Sequence, residues 1–287
     1  MLKWKQIADD FFSVSVGKEY NGEPYYWTTF YYYKGLLLDT GCPHAAEESV
    51  NFIKELSLDV KAVLITHYHE DHCGGARLFK KRFNVDVFAP RASLQILADP
   101  PKIPAYRQTV WGQPRQVDAN PIERKMRFNH VTVTTFETPG HSFDHVSFLI
   151  ENMLFIGDLI TNPTPVIVKN EEDYTDLIES LKMVTNLHYK IAYGGHGFWD
   201  SNAVKLVLIT VLKLKETVCR LCSEGLSVEQ IVERLFSDVP QKVLMMEEMS
   251  EYEWSRKNLV QSLLGMMHTP RASHNHRALN PNDDEPS

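Results

Sequence analysis

The sequence predicts a layered α/β domain extended by a small helical subdomain. Three patterns carry that prediction. Short apolar runs with strand character recur through roughly the first 200 residues, and each stops on a polar residue or a glycine turn. Amphipathic stretches at helical spacing lie between some of them. From about Asn202 onward the pattern is wholly helical.

The elements follow in order. Phe11–Val16 alternates like a strand, Asn21-Gly22-Glu23-Pro24 reads as a turn, and residues 25–33 form an unusually aromatic run suited to a strand. That run predicts a sheet covered on both faces, with one or two tyrosines at a pocket mouth as its functional reading. Gly35–Gly41 and Ala62–Thr66 are apolar strands, the first ending on Asp39. Residues 90–128 carry six prolines; a helix over Ala92–Ala98 and then an irregular loop are expected, with Tyr106 and Trp111 able to cap a site or simply anchor the loop. Val131–Phe136, Met153–Asp158 and Ile191–His196 are further strands, and Asp173–Leu187 has helical spacing. Val204–Ser223 predicts a helix ended by Gly225, Ser227 to Gln230 a capping box, and Pro240 the start of a Met-rich third helix reaching about Met267. Leu244-Met245-Met246 is expected in the core. The division is therefore 1–203 for the α/β domain, 204–267 for the helical subdomain, and a polar tail over 268–287 for which disorder is the expectation.

The most informative segment is His67-Tyr68-His69-Glu70-Asp71-His72, which follows a strand and runs into Cys73-Gly74-Gly75. Three imidazoles and a carboxylate so close would repel as cations if they were only structural. A divalent metal resolves this, because neutral imidazole and carboxylate are its ligands. His274 and His276 form another His-x-His, but without a strand or further ligands it carries little weight. The other strand ends bring Asp39, His141 in Thr138-Pro139-Gly140-His141, Asp158 after Gly157, and His196 after Gly195. Strand ends converge at one edge of a layered α/β domain, where such folds place their sites.

In this order the five motifs resemble the metallo-β-lactamase superfamily, over about the first 200 residues. The resemblance implies a four-layer αββα sandwich with a helical appendage of the kind found in glyoxalase II-like members. It implies two divalent metal ions, zinc foremost, with iron or manganese as alternatives. His67, His69 and His141 would hold the first, Asp71, His72 and His196 the second, and Asp158 would bridge them. Asp39 resembles the acid that orients the histidine loop, and His145 has a structural or supporting role. Diiron members that reduce oxygen or nitric oxide resemble His-x-Glu-x-Asp at this motif and carry a flavodoxin-like domain. His69 and the chain length favour hydrolysis instead, by a hydroxide shared between the ions, with Asp71 both ligand and proton acceptor.

Net charge −7 and a pI near 5.9 disfavour non-specific nucleic-acid binding without excluding a local basic groove. The N-terminus lacks a signal-peptide pattern and no window approaches a membrane span, so a cytoplasmic protein without a membrane partner is expected. That disfavours a secreted antibiotic-destroying enzyme. The four cysteines fit a reducing compartment, and Cys219-Arg220-Leu221-Cys222 reads as two residues of a helix. Cys73 reads as a small buried residue.

The expected function is hydrolysis of a small ester-like substrate, a thioester or a lactone. Tyr193, Phe198 and Trp199 are the candidate substrate contacts. Phosphodiesterase or endoribonuclease activity, a mono-iron persulfide dioxygenase and a regulatory role stand as alternatives. The partner is a small molecule, and a homodimer is left open.

Overall fold

Seven strands make the first sheet, in the spatial order β1 (Leu2–Ala8), β2 (Phe11–Val16), β5 (Thr28–Tyr33), β6 (Leu36–Leu38), β7 (Ala62–Leu64), β8 (Asp86–Ala89) and β9 (Asn120–Pro121). The computed structural model describes residues 1–266 apart from positions 21 and 25. A two-residue hairpin, β3 (Glu19–Tyr20) with β4 (Glu23–Pro24), lies between β2 and β5. The aromatic strand therefore begins at Thr28, later than its composition suggests; Tyr25 lies outside the described residues. β1 to β6 pair antiparallel, and β6 to β9 pair parallel. Parallel neighbours need crossovers. Here they are α1 (Ala46–Glu55), then α2 (Glu70–Cys73) with α3 (Ala76–Phe83), then α4 (Leu94–Ala98) with α5 (Ala105–Val110).

The second sheet runs β10 (Lys125–Phe128), β11 (Val131–Glu137), β12 (Val146–Ile150), β13 (Met153–Gly157), β15 (Ile191–Gly194) and β16 (Phe198–Asp200), with only β13 and β15 parallel. Their crossover contains β14 (Val168–Lys169) and α6 (Tyr174–Thr185), capped by the Asp173 carboxylate.

Side-chain alternation builds the layers. Leu36 and Leu38 point between the sheets onto Phe148 and Phe155, whereas Leu37 points outward with Val63, Ile53 and Phe79 under α1 and α3. The outer face of the second sheet, through Leu154, Ile156 and Ala192, packs on α6 and on the C-terminal helices. The order is thus α/β/β/α. Burying each of these large side chains contributes about 1.5–3 kcal/mol.

The appendage consists of α7 (Ser201–Ser223), α8 (Val228–Phe236), α9 (Gln241–Met249), the two-residue strand β17 (Trp254–Ser255) and α10 (Arg256–Leu263). The Ser227–Gln230 capping box is present. The third helix is not continuous, however. Glu251 and Tyr252 take φ of 52° and 63°, which ends α9 and returns the chain so that β17 pairs with β14. The methionines also differ from expectation: Met245 is 61% exposed and Leu244 39%. The side chain α9 buries is Glu247, held by two Arg256 hydrogen bonds of 3.0 and 2.7 Å, so the helix docks through an ion pair. Met267, the tail 268–287 and its His274 and His276 lie outside the described residues.

Candidate metal centre

All five motifs end strands or begin the turns after them, at one edge of the two sheets. Asp39 follows β6 in a left-handed conformation, φ 61°, which aspartate tolerates better than most residues. Its Oδ1 accepts the Thr66 amide N–H at 2.8 Å, and its Oδ2 accepts the Thr66 hydroxyl at 2.9 Å and His72 Nδ1–H at 2.8 Å. Since that hydroxyl donates to Asp39, it accepts from His67 Nδ1, 2.9 Å away. One carboxylate thereby orients two imidazoles.

The remaining ring nitrogens are assigned in the same way. His69 Nε2 donates to Glu171 Oε1 at 2.8 Å. His196 Nδ1 donates to the Trp27 carbonyl at 2.9 Å. His141 Nδ1 faces Glu172 Oε1 at 3.7 Å. Four of the five outward nitrogens thus have a hydrogen-bond acceptor, while His141 Nδ1 faces a carboxylate without bonding to it. A proton on the outward nitrogen leaves the inward one available, as metal coordination requires.

These inward atoms form two groups. His67 Nε2 and His141 Nε2 each stand 3.0 Å from His69 Nδ1. In the second group His72 Nε2 is 3.2 Å from Asp158 Oδ1 and 3.6 Å from Asp71 Oδ2, and His196 Nε2 is 3.1 Å from Asp158 Oδ2. Asp158 Oδ2 is also 3.6 Å from His141 Nε2, so this carboxylate lies between the groups. Within each group, one ligand atom per residue lies within 4.8 Å of the others. His72 Nε2 and Asp158 Oδ1 are buried without a hydrogen-bond partner. At Gly195 a Cβ would stand 2.5 Å from Asp158 Oδ1 and 2.7 Å from His72 Cε1, so glycine keeps this cradle open. Orphaned buried lone pairs of this chemistry fit a pair of divalent cations.

Electrostatics divide the imidazoles, though not strictly by group: burial opposes charge on His141, but Glu172 and Asp158 outweigh it and push its pKa up. Burial and then neighbouring imidazoles hold His67 far below the ordinary imidazole pKa; burial and then Lys169 do the same for His69. Burial also opposes charge on His72, but Asp158, Asp71 and Asp39 outweigh it and push that pKa up. The second group therefore attracts positive charge strongly, and protons and metal compete for the same nitrogens.

His145 supports the site from behind. Its Nε2 accepts the Asp158 amide N–H at 3.1 Å, and its Nδ1 meets the Thr138 hydroxyl at 2.8 Å. Burial, then His141, pushes its pKa down to about 3, so it stays neutral. Asp144 accepts the Tyr68 amide N–H at 2.9 Å and the Ser142 and Ser93 hydroxyls at 2.6 and 2.5 Å, which pins the histidine loop. Neither Asp144 nor the pair Glu171 and Glu172 stands out in the sequence. Their only signal is polarity near motif residues and ahead of the Asp173 cap.

The candidate substrate contacts have other surroundings. Tyr193 packs between the sheets, stacked on Phe155 at 5.5 Å and edge-on to Phe11 at 5.1 Å. Trp199 packs over Gly194 and Gly197 and against the helical core, and Phe198 is 71% exposed. Two tyrosine rings meet metal-cluster imidazoles: Tyr68, edge-on to His69 at 4.7 Å, and Tyr26, edge-on to His196 at 5.1 Å with Trp111 5.7 Å beyond it. Burial, then Asp158, Asp71 and Glu172, raises the Tyr26 hydroxyl pKa, which puts it within the field of those carboxylates. Trp111 thus belongs to the wall near the site, whereas Tyr106 feels Glu253 of the appendage.

Fold and site together define an αββα protein with a two-cluster metal centre. The metallo-β-lactamase superfamily model matches residues 33–196, and the chain belongs to that superfamily. It is 28% identical over 199 residues to the thioesterase pkgB of Emericella nidulans, covering 68% of this chain and 48% of that protein. It is 30% identical over 167 residues to the atrochrysone carboxyl ACP thioesterase of Aspergillus fumigatus, covering 56% and 47%. The chain spans about half the length of these two relatives. The hydroxyacylglutathione hydrolase of Thiobacillus denitrificans is 32% identical over 109 residues, covering 38% of this chain and 36% of that one. Among solved structures, a metallo-β-lactamase family protein from Thermus thermophilus has a TM-score of 0.62 at 18% identity, covering 90% of this chain and 92% of that one. That similarity shows the fold. Among the described residues no helix is long and apolar enough to cross a membrane.

Proposed function

We propose that this protein is a dinuclear metal-dependent hydrolase of small thioesters, with lactones as the second ester-like class. His67, His69 and His141 would hold one ion, Asp71, His72 and His196 the other, and Asp158, which lies between the two groups, would serve both. The carrying observation is convergence: the inward nitrogens and carboxylate oxygens gather into two buried groups while four outward nitrogens meet acceptors. When bound, two divalent ions supply an acidified water near neutral pH and polarise the substrate oxygen. Zinc suits this imidazole-rich set, with iron or manganese as alternatives. Asp71 accepts the proton given up by the nucleophile. Tyr26 and Trp111 flank the acyl group, with the Tyr26 hydroxyl near the reacting oxygen.

Two of the relatives described above are named thioesterases and the third a hydroxyacylglutathione hydrolase, which supports the substrate class. A groove of about 490 Å³ lined by Arg77, Lys81, Arg82 and Arg115 also reaches Gly74 and Gly112, the neighbours of the histidine loop and of Trp111. Its cations suit the phosphates or carboxylates of a thioester carrier. Four free cysteines are consistent with a reducing, cytoplasmic setting.

The test couples elemental analysis to a panel of S-acyl glutathione, acyl-CoA, a homoserine lactone, a phosphodiester and RNA. Two metal equivalents and thioester cleavage are expected. RNA cleavage without acyl hydrolysis, or one iron per chain with persulfide oxidation, would overturn the reading.

A further inference from the structure

An ion network outside the ligand set joins the C-terminal segment to one side of the metal centre. Glu253 lies in the turn between α9 and β17. Its Oε1 accepts from Arg107 Nη1 at 3.1 Å and is 3.6 Å from Lys169 Nζ. Arg107 also grips Glu70 with both branches of its fork, Nε to Oε1 at 2.7 Å and Nη2 to Oε2 at 2.5 Å. Glu70 sits inside the histidine hexad. Lys169 is 3% exposed and pairs with Glu171, which also accepts the Tyr68 hydroxyl at 2.5 Å. Glu171 is the acceptor for His69, so Glu253 bears on the hexad from two directions.

Backbone bonds fasten the same strap. The Asn170 amide N–H donates to the Glu253 carbonyl at 2.8 Å, and the Ser262 hydroxyl donates to the Glu172 carbonyl at 2.7 Å. Val168 pairs with Ser255 and Lys169 with Trp254. Thus the strap bearing Glu171 and Glu172, the outer partners of His69 and His141, is held by the appendage. Both of those imidazoles belong to the three-histidine group. The other group takes its outer partners from Asp39 and the Trp27 carbonyl, which lie far from this segment in the chain.

A buried lysine between two carboxylates costs desolvation free energy, and a hydrophobic residue would pack more cheaply unless the charge is used. Here the charge holds Glu171 where it accepts from His69. We propose that Glu253 is a positioning residue for the three-histidine metal site, acting through Lys169 and Glu171 on His69, so that the C-terminal segment sets the affinity of one ion and not the other. This rests on the two-metal reading above.

The experiment uses the full chain loaded with zinc, and chelator competition read with a metallochromic dye. Glu253→Gln and Lys169→Met should each loosen one of the two equivalents about 10- to 100-fold and leave the other unchanged. With cobalt, the same variants should shift the visible bands of one ion only. Arg256→Gln, which cuts the Glu247 contact in the same appendage, reports general loosening and should leave both equivalents tight. Wild-type affinity in both network variants, or equal loosening of both equivalents, would overturn the inference. Wild-type protein that takes up fewer than two equivalents would instead overturn the underlying two-metal reading. Should one network variant not fold, the other decides.

Discussion

Asp39 shows how much a single acid governs at this centre. It accepts from Thr66 and His72 at once, and through the Thr66 hydroxyl it also fixes His67. Asp39→Asn keeps the shape but turns an NH2 toward one of those donors. It should therefore weaken metal binding about 10- to 100-fold, measured by chelator competition. Asp71→Ala is expected to abolish turnover with loss of metal; an active, fully loaded variant would remove Asp71 from the mechanism. On the proposed function, Tyr26 lies on the substrate side. Tyr26→Ala should raise KM for a thioester by roughly tenfold with kcat little changed, whereas Tyr26→Phe should lower kcat if the hydroxyl meets the reacting oxygen. The residues that cluster were legible in the sequence because histidine and aspartate at fixed spacing after a strand have few other uses. Glu171, Glu172 and Asp144 were not, because an acid near a helix start or in a turn between strands reads as an ordinary solvated charge. Tyr26 was visible only as one ring in an aromatic run.

At the scale of elements, glycine backbones decide whether the site can close. The tip of β15 brings Gly195 against Asp158 and His72 with no room for a methyl group. Gly195→Ala should displace these ligands by a fraction of an ångström or more. The expected result is a folded protein that has lost one metal equivalent and about 10²-fold in kcat, checked by elemental analysis and steady-state kinetics. Helix starts were legible from caps, as at Ser227 and Asp173. The break after α9 was not. It depends on Glu251 and Tyr252 adopting left-handed backbone, and neither residue advertises that conformation. The reward for the break is tertiary: β17 finds β14, and Glu247 finds Arg256.

For the whole molecule, the helical appendage shares one core with the outer face of the second sheet. Val204, Val207, Val211, Leu259 and Leu263 pack with Leu154, Ile156 and the apolar face of α6. A chain ended before α7 would expose that face, so it should aggregate and not yield a compact active domain, as read by size-exclusion chromatography. The layered α/β class was legible because strand and helix periodicities alternate along the chain. Which apolar faces meet was not, since periodicity gives a face but not its partner.

The His196 contact with the Trp27 carbonyl has a consequence for how the protein is made. The Thr29 amide also donates to the Gly195 carbonyl at 2.8 Å, so an early strand and a late turn interlock at the metal edge. During synthesis the histidine hexad leaves the ribosome well before His141, Asp158 and His196 exist as nascent chain. A growing chain therefore carries His67, His69, Asp71 and His72 without the donors that complete the two groups. On the two-metal reading, secure uptake would then be a late event that waits for the second sheet to dock.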